Sequence, residues 1–169
     1  MTSEIQPKNL LLATLPSDLR ALGDESILLK ITLQAVVDTA FVRPLSSASG
    51  QIPLSIPMML TLVTYSYACG IYGSRDIESA IYKERTLRYI CARQYPTWKE
   101  IRRFRRLHRD LLQKTLGSLL RQFCLQFLFP LRPTLAANLP PFLLDEQIGT
   151  VVAARIETAI IMDGVEADV

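Results

Sequence analysis

The basic residues between Lys99 and Arg109 are the part of this 169-residue sequence whose types and spacing could do chemistry. Six basic side chains lie within eleven positions, and Glu100 is the only acidic residue among them. A helix turns by about 100° per residue, which places most of the cations opposite an apolar stripe containing Ile101 and Phe104. Because neighbouring cations repel one another unless an anion offsets them, this pattern favours a polyanion-binding surface over an ordinary solvated helix face.

Double-stranded DNA is the polyanion that we expect this face to bind. Arginines at helical spacing can neutralise phosphates or reach guanine edges, and the sequence leaves both kinds of contact open. Arg75 is either a second phosphate contact or the ion-pair partner of Asp76 or Glu78. Trp98 either anchors the helix in the core or stacks on a base or sugar. The predicted DNA-binding residues are Lys99, Arg102, Arg103, Arg105, Arg106, Arg109, Arg75 and Trp98, with Arg103 and Trp98 at the margins of the basic face.

The sequence gives little support for catalytic or metal-binding chemistry. His108 is the only histidine, and its place on the apolar stripe predicts a packed side chain rather than a base or metal ligand. The cysteines, Cys69, Cys91 and Cys124, are far apart and form no CxxC pair, which predicts buried, reduced thiols. Gly-rich phosphate loops and the H-E-x-x-H and G-x-S-x-G motifs are absent from the sequence. We therefore expect a protein that is not an enzyme and that needs no cofactor and no metal.

The net charge of +3 conceals a strongly basic middle of the chain. Residues 75–109 hold 11 basic and 4 acidic residues, a net charge of +7. Residues 1–74 hold 4 basic and 5 acidic residues (net −1), and residues 110–169 hold 4 and 7 (net −3). Since 49% of the residues are apolar, the chain can form one domain with a sizeable core. The charge distribution supports a polyanionic partner for the middle segment.

An uncharged stretch from Pro44 to Ser74 raises the question of a membrane span. Leu54–Gly73 is long enough to cross a bilayer, but Pro57 and several polar and glycine residues interrupt it. This content predicts a helix buried in a protein core and no membrane association. The N-terminus, Met1–Lys8, lacks the basic-then-apolar order of a secretory signal, so we expect a cytoplasmic location.

The elements that position the basic residues are expected to be helices. The periodicity predicts an all-α, single compact domain of six or seven helices and no confident strand. The best-marked helix begins at Thr97, where Thr97 and Glu100 form a T-x-x-E capping box. It is expected to continue to about 123–129, with Gly117 as the candidate break. A basic helix entered through a capped N-terminus after short helices predicts a helix-turn-helix-like arrangement.

The predicted helices and the proline-bearing segment divide the chain into three parts. A loose N-terminal tail is predicted for residues 1–13, and the helical domain for residues 14–129. Residues 130–169 are expected to form a proline-bearing connector and a C-terminal helix packed on that domain. This last helix is predicted to begin near Phe142 or Asp145 and to stop at Gly164.

Three segments carry motifs that are informative in their order and spacing. Residues 52–60 read Ile-Pro-Leu-Ser-Ile-Pro-Met-Met-Leu, residues 73–78 read Gly-Ser-Arg-Asp-Ile-Glu, and residues 96–106 read Pro-Thr-Trp-Lys-Glu-Ile-Arg-Arg-Phe-Arg-Arg. Together they resemble the helical N-terminal domain of bacterial insertion-sequence transposases of the DDE class, with the likeness strongest over residues 51–120. Thr97 stands where that family has an aspartate, which keeps a capping residue, and Glu100 stands where it has a threonine.

The resemblance implies transposon-end recognition through the segment around Ile101–Arg109. The family's RNase H-like catalytic domain, with three carboxylates and divalent metal, is expected to be absent, although Asp163 resembles its first catalytic aspartate. A stand-alone or truncated transposase domain is therefore the expected function, with double-stranded DNA as partner. A separately encoded catalytic subunit or a second copy is a further expected partner. The alternative is a non-enzymatic helical module that binds protein or RNA.

Overall fold

The computed structural model describes residues 9–40 and 55–167, and every regular element in these ranges is helical. This confirms the predicted all-α fold. A 3₁₀ turn spans Leu19–Ala21 and a π-helical turn spans Cys124–Leu128. The α-helices are α1 (Leu10–Thr14), α2 (Glu25–Ala40), α3 (Ile56–Ala68), α4 (Ser74–Lys83), α5 (Arg85–Cys91), α6 (Trp98–Leu107), α7 (Arg109–Phe123), α8 (Phe129–Leu131), α9 (Pro133–Asn138) and α10 (Pro141–Ala167).

Helix α3 forms the centre of the core. Ten consecutive residues, Met59 to Ala68, are buried, and α2, α5, α6 and α7 all pack against this helix. The uncharged sequence of α3 allows this, because it has no side chain whose charge would need a buried partner. Ser55 caps the helix by accepting a hydrogen bond from the backbone N–H of Met58. Within the described ranges, no helix combines the length and the apolar content needed to span a bilayer.

Helix α10 packs along α7 and α1 and closes the other side of the core. Its buried residues include Leu144, Val151 and Val152. The Gln147 side chain accepts a hydrogen bond from the backbone N–H of Leu11 at 2.8 Å, which joins the two ends of the described chain. The prediction of a loose tail is therefore wrong for residues 10–13, which lie in α1. Residues 1–8 lie outside the described residues.

The long helix predicted from Thr97 is two helices that meet at His108, not at Gly117. His108 has φ −119° and ψ 33°, which ends α6, while its own backbone oxygen accepts the first hydrogen bond of α7. Gly117 lies inside α7, where a Cβ would meet Val152 at 3.9 Å. The sequence contains no glycine or proline at the break, so residue type does not mark its position.

The predicted proline-bearing connector is largely helical. Pro130 and Pro133 occupy the first or second positions of α8 and α9, and Pro141 begins α10. At these positions the missing N–H of proline costs no intrahelical hydrogen bond, so a proline starts a helix as readily as it breaks one. Gly164 does not end α10, which continues to Ala167.

All three cysteines are buried free thiols, as predicted. Burial raises the pKa of Cys69 to about 12, of Cys91 to about 11 and of Cys124 to about 12. These thiols remain protonated at neutral pH and act as small apolar side chains in the core.

Candidate nucleic-acid interface

The start of α6 is fixed by the capping box that the sequence predicts. The Thr97 hydroxyl accepts a hydrogen bond from the backbone N–H of Glu100 at 3.3 Å. The Glu100 carboxylate in turn accepts from the backbone N–H of Thr97 at 3.5 Å. Two of the N–H groups that a helix leaves without partners are thus satisfied, and the only carboxylate among the basic residues is occupied in doing so.

A corner between α4 and α6 holds Trp98 and Arg75. The backbone N–H of Trp98 donates to the Glu78 carboxylate at 2.5 Å, which ties the first turn of α6 to α4. The Arg75 guanidinium lies 4.6 Å from the centre of the Trp98 ring, and the Lys99 ammonium lies 5.6 Å from it. Trp98 is half-buried, so the structure places it as a platform for two cations rather than deep in the core.

Four basic side chains of α6 and the start of α7 are exposed; together they form what we call the outer basic face: Lys99, Arg103, Arg106 and Arg109. None of the four makes an ion pair with the side chains of residues 9–40 and 55–165. Arg102 is half-buried at the edge of this face. The predicted exposure of the basic residues therefore holds for these four and in part for Arg102.

The prediction that Arg105 lies on the exposed face is wrong. Arg105 is only 5% exposed and forms an ion pair with Asp163 of α10. Its guanidinium also donates to the Ser74 hydroxyl at 2.7 Å, to the Tyr67 hydroxyl at 3.3 Å and to the backbone oxygen of Tyr72. With these partners Arg105 is part of the interior, and both terminal nitrogens of its guanidinium donate to other residues of the protein.

The position of Arg105 on the helix explains the error. Arg105 follows Ile101 by four residues, so the two side chains differ in direction by only about 40° around the axis. Ile101 is fully buried, and Phe104 next to Arg105 is also buried. A stripe at i, i+3 and i+4 from Ile101 includes Arg105, and this spacing could have identified it as a buried cation.

Arg155 of α10 is a second buried cation, and sequence reasoning missed it. Its guanidinium donates to the backbone oxygens of Pro16, Ser17 and Tyr67 at 2.7, 2.8 and 2.6 Å, and to the Tyr72 hydroxyl at 3.2 Å. Burial lowers the pKa of Arg155, but the four oxygen partners favour the charged form. The spacing of Arg155 from buried Val151 and Val152 was the available signal.

These contacts form one continuous set that we call the buried polar network: Arg105, Arg155, Asp163, Ser74, Tyr67 and Tyr72. The Ser74 hydroxyl donates to the Asp163 carboxylate at 2.8 Å. Gly73 occupies the cap position of α4, and Ser74 is its first helical residue. Asp163, which by its place in the sequence resembles a catalytic aspartate, lies inside α10 in this network. Through these contacts the network links α10 to α4 and α6.

Burial also sets the protonation of the aromatic neighbours. The pKa of Tyr67 is raised to about 12 by burial, although the nearby Arg105 acts in the opposite direction. The ring of His108 lies 4.7 Å from that of Phe104, and partial burial lowers the pKa of His108 below its usual value. His108 is thus packed, as predicted, and neutral at pH 7. The positive charge of the outer basic face comes from arginine and lysine alone.

Comparison with known families identifies residues 17–107, just over half of the chain, as a match to the family described as transposase domain (DUF772). No curated protein and no solved structure matched the chain. Among the described residues, no three His, Cys, Asp or Glu side chains lie together so that they could hold a metal ion. The matched segment contains α2 to α6, including the capped basic helix and its corner with α4. The chain therefore belongs to the transposase domain family.

Proposed function

We propose that this chain is the DNA-binding part of a transposase-related system and that its outer basic face contacts the phosphates of double-stranded DNA. The observation that carries the proposal is the exposure of Lys99, Arg103, Arg106 and Arg109 without an ion-pair partner in the described part of the chain. Such cations repel one another, and an anionic ligand offsets that repulsion. Membership of the transposase domain family supports nucleic acid as this ligand.

The arrangement of α4, α5 and α6 supports a helix-turn-helix-like approach to the duplex. The break between α4 and α5 is short, with Glu84 between them, and α6 begins after a tight turn in which Ala92 and Arg93 have positive φ. We propose that α6 faces the duplex and that Arg75 and Trp98 border the contact. Arg105 is excluded from the proposed contacts, because the buried polar network uses its donors.

The role in transposition that we propose is recognition of transposon ends, in the cytoplasm where chromosomal DNA lies. This proposed role includes no chemical step carried out by the described residues. Cutting and joining DNA through two metal ions needs several carboxylates at one site, which the proposal leaves to a catalytic domain or subunit. A separately encoded catalytic subunit and a second copy of the chain are the protein partners consistent with this division of labour.

Salt dependence of duplex binding tests the proposal. Each neutralised phosphate contributes about −0.9 to the slope of log affinity against log salt, so four contacts predict a slope near −3.6. The measurement is fluorescence anisotropy of a labelled duplex over a series of NaCl concentrations. Arg132→Ala removes an exposed arginine outside the outer basic face and is the matched control, with an unchanged slope.

Two results would count against the proposal. One is the absence of duplex binding at low salt, or binding whose affinity does not depend on salt. The other is equal competition by an RNA duplex of the same length, which would favour RNA as the ligand. A preference for DNA carrying transposon ends over random duplex would support the specific role.

A further inference from the structure

A cleft of about 230 Å³ lies where α6, the start of α7 and the end of α10 meet. One side is basic and contains Arg102, Arg106 and Arg109, and the other side is apolar and contains Ile156 and Ile160. A water molecule accounts for about 30 Å³ of the liquid, so the cleft is much larger than a single solvent site. It has room for a phosphate group together with part of the sugar that carries it.

The charges of the cleft are not balanced among the described residues. Arg105 and Asp163 also line it, and they neutralise each other in the buried polar network. Arg102, Arg106 and Arg109 have no carboxylate partner among the side chains of residues 9–40 and 55–165. Three positive charges without a carboxylate partner among these side chains therefore line the cleft, and its one described carboxylate, Asp163, is paired with Arg105.

Arg102 provides the second, independent observation. Its Nε atom is buried and has no hydrogen-bond partner among the described residues. A buried donor without a partner costs free energy, and a ligand that accepted its hydrogen bond after rotation of the Arg102 side chain toward the cleft would remove this cost. Arginine binds phosphate with two parallel N–H donors, for which Nε and one terminal nitrogen are suited.

We propose that this cleft binds one phosphate group of a nucleic-acid strand, with Arg102 as the central ligand and Arg106 and Arg109 beside it. The attached sugar would lie against Ile156 and Ile160, which a bare inorganic anion would not cover. The inference rests on the proposed function, because it assigns the phosphate to nucleic acid. It goes beyond that function, because it assigns one phosphate to a defined binding site. Lys99 and Arg103 do not line the cleft and would contact other phosphates on the protein surface.

Side-chain NMR of the arginine Nε–Hε groups in the full chain tests the cleft directly. Titration with inorganic phosphate is expected to shift the Arg102 Nε–Hε signal, while sodium chloride at equal ionic strength leaves it in place. Arg102→Lys keeps the charge but loses the paired donors, so we expect about ten-fold weaker phosphate affinity, followed through the other cleft signals. Arg132→Ala removes an exposed arginine outside both the cleft and the outer basic face, and this variant should bind phosphate like the unaltered protein. Thermal unfolding followed by circular dichroism verifies that both variants are folded.

Duplexes with and without a 5′-phosphate show whether the bound phosphate comes from a strand end or from the backbone. A larger Arg102 shift with the 5′-phosphorylated duplex assigns the cleft to a strand end, and equal shifts assign it to a backbone phosphate. Duplex binding without any Arg102 shift would overturn the inference and leave the proposed function intact. An Arg102 shift with inorganic phosphate but no duplex binding would overturn the proposed function instead, and with it the assignment to nucleic acid.

Discussion

Arg103 and Arg105 are two residues apart on α6, yet they lie in opposite surroundings. Arg103 is exposed on the outer basic face and has no ion-pair partner in the described chain. Arg105 is buried in the polar network, where Asp163 and Ser74 bind its guanidinium. The same residue type therefore serves two purposes on one helix. The contacts made by each guanidinium, rather than the local sequence, decide whether it stabilises the fold or remains available to a ligand.

The two regions also differ in what a substitution leaves behind. Loss of an outer arginine removes a solvated charge and leaves no buried group without a partner. Loss of Arg105 leaves the Asp163 carboxylate buried without its cation, and loss of Arg155 removes the donor to the backbone oxygens of Pro16 and Ser17. The cost of an unpaired buried group exceeds the gain from the original contact. Substitutions in the buried polar network should therefore lower the free energy of unfolding, whereas substitutions on the outer basic face should change DNA affinity.

The largest expected effect is on stability. Arg105→Ala should lower the free energy of unfolding by about 3–5 kcal/mol, because it leaves the Asp163 carboxylate buried and unpaired. Urea unfolding followed by circular dichroism measures this change. Arg103→Ala, the matched control two residues away, should change the free energy of unfolding by less than about 0.5 kcal/mol. Equal effects of the two variants would remove the distinction between the two regions.

A glycine beside the buried polar network should show the next largest effect. Gly70 has φ +76°, and a Cβ there would lie 2.9 Å from the backbone oxygen of Ser17, which accepts from Arg155. Gly70→Ala should therefore lower the free energy of unfolding by about 1–3 kcal/mol. Gly149→Ala is the control, because Gly149 lies in α10 with nothing within 4 Å of a Cβ. The control should raise the free energy of unfolding by about 0.5–1 kcal/mol, and destabilisation of similar size in both variants would contradict this account.

On the outer basic face the expected effect is on affinity. Arg103→Ala should weaken duplex binding about five-fold, the usual size for one exposed charge contact. It should also reduce the salt slope by about one unit. Anisotropy titrations over a salt series measure both quantities. An unchanged slope would mean that Arg103 contacts no phosphate and does not belong to the DNA-binding surface.

The smallest expected effect is the contribution of His108 to the pH dependence of the free energy of unfolding. Burial lowers its pKa in the folded protein, so below the ordinary value of about 6.5 the unfolded chain binds the proton first. Stability from this residue is fully present above pH 6.5 and falls as the pH drops toward the folded pKa. Urea unfolding from pH 7.5 to 5 measures the decline, and His108→Gln should reduce the part of it that arises from this residue. A decline of the same size in both proteins would show that other groups cause it.

Much of the fold could be predicted from local sequence. The capping box at Thr97 and Glu100 and the burial of α3 follow from residue types within a short stretch of sequence. The prolines between Pro130 and Pro141 were misleading, because proline is tolerated in the first turn of a helix and excluded from its interior. The break at His108 has no local signal, so Gly117 was the natural and incorrect choice.

The candidate site was predicted less completely than the fold. Residue types and spacing identified the basic segment, and four of its cations are exposed as expected. Residue types and spacing could not predict the ion pair of Arg105, because its partner Asp163 lies far away in sequence, on α10. The spacing of Arg155 on α10 indicated burial, but its acceptors could not be predicted, because they include backbone oxygens that no residue type encodes.

The sequence alone determined the helical class, the capped start of α6 and the concentration of positive charge along it, because these depend on neighbours within one or two turns. Only the tertiary structure decided which arginines face solvent, where α6 ends and how α10 closes the cleft beside Arg102. Contacts between distant segments control these features. A guanidinium enters the interior only where folding brings it enough oxygen partners to replace water.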